Sequence, residues 1–113
     1  MTYHPDAWVA ILINNNIVKI FCCWYGGYTS GDAWRMNSGC TQIIEREREY
    51  SAYGYSGSEY ILTKGMNRLT SYGNAMLQEI IGELDSYGHT AEIISIEKAM
   101  EIVNEQETSS SKF

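Results

Sequence analysis

One glycine-rich segment, residues 22–39, carries most of the side chains in this chain that are suited to recognising a ligand or a partner. It holds two Trp, two Tyr, four Gly, one Asp and one Arg, which is too much glycine for a helix. Trp and Tyr rings stack on planar groups, arginine offers a forked donor to phosphate or carboxylate, and the polar side chains can contact ligand edges. A second aromatic–glycine run occupies residues 50–60. The predicted recognition residues are Trp24, Tyr25, Tyr28, Asp32, Trp34, Arg35, Asn37, Tyr53 and Tyr55.

A structural interpretation of the same residues stays open. Trp24 and Trp34 could pack in the core of a sheet, because Trp is largely buried whatever its role. Asp32 would then cap the loop, and Arg35 would pair with an acid. The tyrosines beside glycine favour recognition instead, since several such residues on adjacent turns would form an exposed aromatic patch.

No residue pattern points to catalysis or to a metal site. His4 and His89 have no carboxylate or thiol at a ligand spacing. Cys22 or Cys23 with His89 would form only a minimal dyad, and cysteines within an apolar strand are usually inert core residues. No phosphate-binding or dinucleotide-binding glycine motif is present in the sequence. We therefore expect a protein without enzymatic activity, cofactor or metal.

The charge balance and the cysteines restrict the partners and the compartment. Fourteen acidic residues against eight basic ones give a net charge of −6. Direct nucleic-acid binding is therefore not expected, although an acidic chain can attract a basic protein partner. The longest apolar stretches are too short to span a bilayer, and no signal-peptide pattern begins the chain. Three cysteines without a disulfide spacing, Cys22, Cys23 and Cys40, indicate a reduced cytoplasmic protein.

The chain up to Lys64 is predicted to form strands joined by turns. Two apolar runs lie on either side of Asn14–Asn16, and asparagine tolerates the left-handed conformations that tight hairpin turns require. A second hairpin is predicted around Ser56–Gly57. The predicted strands are Trp8–Ile13, Ile17–Tyr25, Ala33–Met36, Cys40–Arg48, Tyr50–Tyr55 and Glu59–Lys64.

Two helices are predicted after Gly65. Thr70 or Ser71 can cap the first helix, and Tyr87–Gly88 can end it. The segment that follows is either a short strand or an extended link, Ala91–Ile94. The apolar stripe of the first helix is Leu77, Ile80, Ile81 and Leu84, and the second helix is Ile96–Asn104 behind Ser95, with Ile96, Ala99, Met100 and Val103 on one face.

These elements predict an α+β fold. We expect an antiparallel meander of about five or six strands, followed by two C-terminal helices packed on one face. Residues 1–104 would form a single domain, and residues 105–113 a polar, disordered tail.

Three stretches of the sequence resemble a pattern in small uncharacterised proteins of tailed bacteriophages, a family without an assigned activity. They are Trp24-Tyr25-Gly26-Gly27-Tyr28, Gly31-Asp32-Ala33-Trp34-Arg35-Met36-Asn37-Ser38-Gly39 and Tyr53-Gly54-Tyr55-Ser56-Gly57-Ser58-Glu59-Tyr60. The resemblance covers residues 3–85. It implies a phage protein made in the cytoplasm of an infected bacterium, where it would bind and disable a host factor.

Two functions follow as hypotheses. The first is a binding protein that inhibits a host or defence protein through its aromatic and glycine-rich surface, with Tyr and Trp side chains as anchors. The alternative is sequestration of a nucleotide-like signalling ligand by the aromatic residues and Arg35, between subunits of a homo-oligomer.

Overall fold

The computed structural model describes residues 1–26 and 31–111. It confirms the α+β class, because seven strands precede the first helix and an eighth strand separates the two helices. The strands are β1 Thr2–Tyr3, β2 Ala7–Ile13, β3 Ile17–Trp24, β4 Ala33–Met36, β5 Cys40–Glu45, β6 Glu49–Gly54, β7 Glu59–Thr63 and β8 Ala91–Ile94. The helices are α1 Ser71–Ser86 and α2 Ile96–Ser111.

The strands divide into two four-stranded sheets rather than one meander. One sheet has the order β4-β3-β2-β8 and the other has the order β1-β7-β6-β5. All neighbours are antiparallel except β1 and β7, which run parallel. The β2–β3 hairpin turns at Asn14 and Asn15, whose φ angles of 51° and 63° confirm the left-handed turn predicted from the asparagines.

Both faces of β2 and of the Ile20–Cys23 part of β3 are buried, which explains the apolar run in each strand. Alternate side chains such as Trp8 and Cys22 face the second sheet and α2, whereas the intervening Val9 and Cys23 face α1. Cys22 and Cys23 therefore lie on opposite faces of β3. They and Cys40 are buried free thiols.

Helix α1 begins where the sequence predicts, with Thr70 as its N-cap. The Thr70 hydroxyl oxygen accepts a hydrogen bond from the Gly73 N–H at 2.9 Å. Tyr87 is the C-cap, and Gly88 follows at a φ of 83°, a left-handed conformation that glycine adopts without strain. The predicted apolar stripe of α1 covers the outer face of the sheet that contains β2.

Helix α2 begins after Ser95, whose hydroxyl accepts a hydrogen bond from the Lys98 N–H at 3.1 Å. Its buried residues, among them Ala99, pack in the cluster between the two sheets. The two helices thus cover opposite faces of the β2 sheet, whereas the sequence-based expectation placed them on one face. The helix also continues to Ser111, past the predicted end at Asn104 and into the predicted tail. No helix in residues 1–26 and 31–111 is long and apolar enough to cross a membrane.

Candidate functional site

Tyr3, Trp24, Arg35 and Tyr60 come together where β1, β3, β4 and β7 meet, and we call them the aromatic–arginine cluster. The rings of Tyr3 and Tyr60 stack, with centroids 5.0 Å apart and an interplanar angle of 22°. The Trp24 ring lies 6.4 Å from the Tyr3 ring. The Arg35 guanidinium carbon stands 4.5 Å from the Tyr3 ring centroid, and Arg35 Nε donates a hydrogen bond to the Tyr60 hydroxyl at 3.1 Å.

Strand pairing and one linker build this cluster. Arg35 pairs with Cys22 in the β3–β4 ladder, and side chains of adjacent strands at paired positions share a face. The linker between β1 and β2 crosses beside the end of β3, where Trp24 Nε1 donates to the His4 carbonyl oxygen at 2.9 Å. The Tyr25 N–H donates to an Asp6 carboxylate oxygen, also at 2.9 Å. Tyr3 is thereby placed against Trp24 and Arg35.

The Arg35 guanidinium is exposed and is held by aromatic residues rather than by an acid. The hydrogen bond from Arg35 to Tyr60 raises the pKa of the arginine above its usual value. The ion pair of Lys64 and Glu45 is the single one among the described residues, so Arg35 lacks the acidic partner that the structural interpretation predicted. Its terminal nitrogens can therefore donate to an anionic group of a ligand or partner.

Three predicted recognition residues near the cluster have structural contacts. The Trp34 ring stacks on Phe21, with centroids 5.3 Å apart, on the opposite face of β4 from Arg35. An Asp32 carboxylate oxygen accepts a hydrogen bond from the Gly26 N–H at 3.2 Å, as the loop-capping interpretation predicted. Asn37 is 3% exposed and accepts a hydrogen bond from the Ile20 N–H at 2.9 Å. Its side chain is enclosed by the protein and does not form part of an exposed site.

Tyr53 and Tyr55 of the second aromatic–glycine run take no part in the cluster, whereas Tyr60, which ends that run, belongs to it. Tyr55 is 67% exposed, and its ring covers Gly39, close to Ile17 at the start of β3. Tyr25 is 58% exposed and follows the other end of β3, about 23 Å away for an eight-residue strand. Tyr53 is half-buried, and its hydroxyl donates to Glu59 at 3.0 Å. The exposed rings of Tyr25 and Tyr55 therefore do not share one surface. Tyr28 lies outside the described residues.

Sequence reasoning missed two members of the cluster, Tyr3 and Tyr60. Tyr60 is 2% exposed and ends the second aromatic run, while Tyr3 lies in a polar segment without any pattern around it. For Tyr60, the sequence offered one signal, its place at the end of the tyrosine-rich run of residues 50–60. The tyrosine at position 3 becomes significant only once β1 pairs with β7.

The residues that the sequence offered for metal binding or catalysis, His4, His89, Cys22 and Cys23, all lie among the described residues. Within that part of the chain, no group of three His, Cys, Asp or Glu side chains could hold a metal ion. Burial raises the pKa of the Cys40 thiol to about 11 and raises the pKa of Cys22 further, so both stay protonated at neutral pH.

Two open cavities lie away from the cluster. One, of about 780 Å³, lies between the β2–β3 turn, β8 and α2, and Glu92, Lys98 and Glu105 are its charged lining residues. The other, of about 420 Å³, lies between α1 and β8 beside Asp85 and His89. Each cavity carries at least one carboxylate, which disfavours phosphate binding.

Comparison with known proteins adds no relative from which a function could be transferred. No protein-family model, no curated protein and no solved structure matches this chain.

Proposed function

We propose that this chain is a non-enzymatic, phage-encoded binding protein that inhibits a host or defence protein through the aromatic–arginine cluster. The observation that carries the proposal is the exposed Arg35 guanidinium, held by Tyr3 and Tyr60 and without a carboxylate partner among the described residues. An arginine that is already fixed loses little further conformational freedom on binding an anionic group. The phage origin is supported by the sequence resemblance, independently of Arg35.

Tyr25 supplies the second part of the proposed interface. Its side chain is 58% exposed next to Trp24, while its backbone N–H is tied to Asp6. A tyrosine on a fixed backbone provides a large contact area at low entropic cost. The partner would enclose this ring while a carboxylate or phosphate on its surface meets Arg35. The net charge of −6 would favour the approach of a partner that is basic overall.

The same geometry supports sequestration of a nucleotide-like ligand less well. The Tyr3 and Tyr60 rings already stack on each other at 5.0 Å, which leaves no space for a base between them. Each of the two cavities away from the cluster carries at least one carboxylate, which disfavours phosphate there. A protein partner can bind an open surface without an enclosing pocket. It therefore suits this exposed cluster better than a nucleotide-like ligand does.

Affinity capture from a bacterial lysate tests the proposal with three baits: the wild type, Arg35→Gln and Tyr55→Ala. Tyr55→Ala is the matched control, since it removes an exposed ring at the far end of β3. We expect one stoichiometric protein on the wild type and on Tyr55→Ala, and about tenfold less on Arg35→Gln. Titrating the purified wild type into that captured protein should then inhibit it. Equal capture by all three baits, or no capture at all, would contradict the proposal.

Calorimetry separates the alternative function. We expect no heat of binding when cyclic nucleotides and related signals are titrated into the protein. Tight binding of one of them, lost in Arg35→Gln, would replace the proposed inhibitor by a ligand-sequestering protein.

A further inference from the structure

Strand β4 is a free edge of the β4-β3-β2-β8 sheet, and its hydrogen-bonding direction can be read from the ladder. The Asn37 N–H donates to the Ile20 carbonyl oxygen at 3.1 Å, which marks this as a hydrogen-bonded pair. Hydrogen-bonded positions alternate in an antiparallel ladder, so Arg35 also points its backbone groups towards β3. The N–H and C=O groups of Trp34 and Met36 point outward, where the described residues provide no neighbouring strand.

Strand β8 is the opposite free edge of the same sheet. The Asn14 N–H donates to the Thr90 carbonyl oxygen at 2.9 Å, so alternation directs the backbone groups of Glu92 towards β2. Those of Ala91 and Ile93 point outward, again without a neighbouring strand in the described part of the chain. The Ile93 side chain is 47% exposed.

We propose that β4 of one copy pairs antiparallel with β8 of a second copy, so that the sheet continues from copy to copy. In the register where Trp34 faces Ile93 and Met36 faces Ala91, all the outward backbone groups on both edges find partners. The residues between them, Arg35 and Glu92, then stand directly opposite each other as a pair of opposite charges.

The side-chain faces match in the same register. Arg35 shares a face with Cys22, and Glu92 shares a face with Leu12, which lies in the same hydrophobic cluster as Cys22. On the other face, the half-buried Trp34 would meet Ile93 and bury part of its exposed surface. Strands β4 and β8 run antiparallel to each other within one sheet. A second copy can therefore pair its β4 with β8 of the first copy while both copies keep the same orientation.

The charges on the two edges also select this pairing over the symmetric ones. Pairing β4 with β4 through its outward groups would place Arg35 opposite Arg35, and the equivalent pairing of β8 would place Glu92 opposite Glu92. A charge in the middle of an edge strand is a common device against unwanted strand pairing. Here Arg35 disfavours pairing of β4 with another β4, and Glu92 disfavours pairing of β8 with another β8. Together the two charges favour pairing of β4 with β8.

An interface that uses two different surfaces is heterologous, so it extends a chain of copies until that chain closes into a ring. Every copy except the one at an open end would then have its Arg35 occupied by Glu92 of the next copy. Self-association and binding of a partner at Arg35 would compete. The inference stands apart from the proposed function, because it concerns the purified protein alone.

Charge reversal tests the pairing in sedimentation velocity over a concentration series. The wild type should associate, while Arg35→Glu and Glu92→Arg should each lower the association constant about tenfold or more, since each places like charges opposite one another. An equimolar mixture of the two variants should associate again, because every mixed junction restores opposite charges. Glu101→Arg, the same charge change on α2, should behave as the wild type. A monomeric wild type, or a mixture that stays monomeric, would overturn the proposal.

Proline substitution provides a second test that does not depend on charge. Proline is tolerated on an edge strand where the lost N–H faces outward. Met36→Pro should block the β4 edge and Ile93→Pro the β8 edge, so each variant alone should be monomeric. Their mixture should form a heterodimer and nothing larger, because only one complementary pair of edges remains. Growth beyond the heterodimer, or no association in the mixture, would show that other surfaces hold the copies together.

Discussion

Two glycines in helix α1 should respond in opposite ways to replacement by alanine. A Cβ on Gly82 would meet nothing within 4 Å, whereas a Cβ on Gly73 would overlap the Cys23 Sγ atom. It would also stand 3.0 Å from the Thr70 hydroxyl oxygen that caps the helix. Gly73 is therefore the residue that lets the first turn of α1 rest directly on β3.

The expected free energies of unfolding follow from these distances. Gly82→Ala should stabilise the protein by about 1 kcal/mol, the difference in helix propensity between glycine and alanine. Gly73→Ala gains the same amount, but overpacking against Cys23 costs about 1–3 kcal/mol and disturbance of the Thr70 cap costs about 1 kcal/mol. The net result is a destabilisation of roughly 1–3 kcal/mol. The two variants should then differ by about 2–4 kcal/mol in free energy of unfolding.

Urea unfolding followed by circular dichroism measures both variants. Adding Cys23→Ala to Gly73→Ala should recover part of the loss, because the Cys23 Cβ would stand 3.5 Å from the new Cβ, an ordinary contact. We expect a favourable coupling of about 1–2 kcal/mol in this double-mutant cycle. If Gly73→Ala stabilised the protein as much as Gly82→Ala, or if the cycle showed no coupling, the close packing of α1 on β3 would be refuted.

Three further predictions concern buried side chains that carry a polar atom or a thiol. Asn37→Ala should lower the free energy of unfolding by about 1–3 kcal/mol in urea, since it leaves the buried Ile20 N–H without its side-chain acceptor, and an unchanged midpoint would contradict this. Stability should fall above pH 9 by roughly 1 kcal/mol per pH unit for each of two buried thiols, Cys22 and Cys40, because the unfolded chain ionises them at their usual pKa of 9.0. Burial raises the pKa of Cys40 in the folded protein to about 11 and raises that of Cys22 further. Cys40→Ala should make that decline about half as steep in urea midpoints measured between pH 9 and pH 11, since the Cys22 contribution remains, and an equally steep decline would argue against the Cys40 thiol. Tyr60→Phe should keep the fold but speed hydrogen exchange of the Arg35 Nε–H in NMR spectra, since its acceptor is gone, whereas an unchanged rate would exclude that hydrogen bond.

Local patterns predicted most of the secondary structure. The asparagine turn, the Thr70 cap and the Gly88 stop each depend on a few neighbouring residues, and the structure has all three. The extent of α2 was underestimated, because its last turns are polar and lack the apolar periodicity on which the prediction relied. Part of that polar segment contacts the rest of the chain, since the Gln106 side chain donates to the Asn16 carbonyl oxygen.

The candidate site was predictable only in part. Trp24 and Arg35 were recognised as residues that bind rings or anions, and the structure brings them within one cluster. Asn37 lies two residues after Arg35 and was predicted as a recognition residue for the same reasons, yet its side chain turns inward opposite Ile20. There its carboxamide oxygen accepts the Ile20 N–H, as a backbone carbonyl of a paired strand would. Sequence periodicity does not distinguish an outward polar side chain from one that satisfies a buried backbone group.

The sequence by itself determined the class of the fold and the residue types available for recognition, because hairpin turns, helix caps and apolar runs are set by neighbouring residues. Only the tertiary structure decided which of those residues meet. The division into two sheets places Tyr25 and Tyr55 at opposite ends of β3, and the β1–β7 pairing brings Tyr3 to Arg35. Contacts between residues far apart in the chain depend on strand order and register, and local sequence does not encode either.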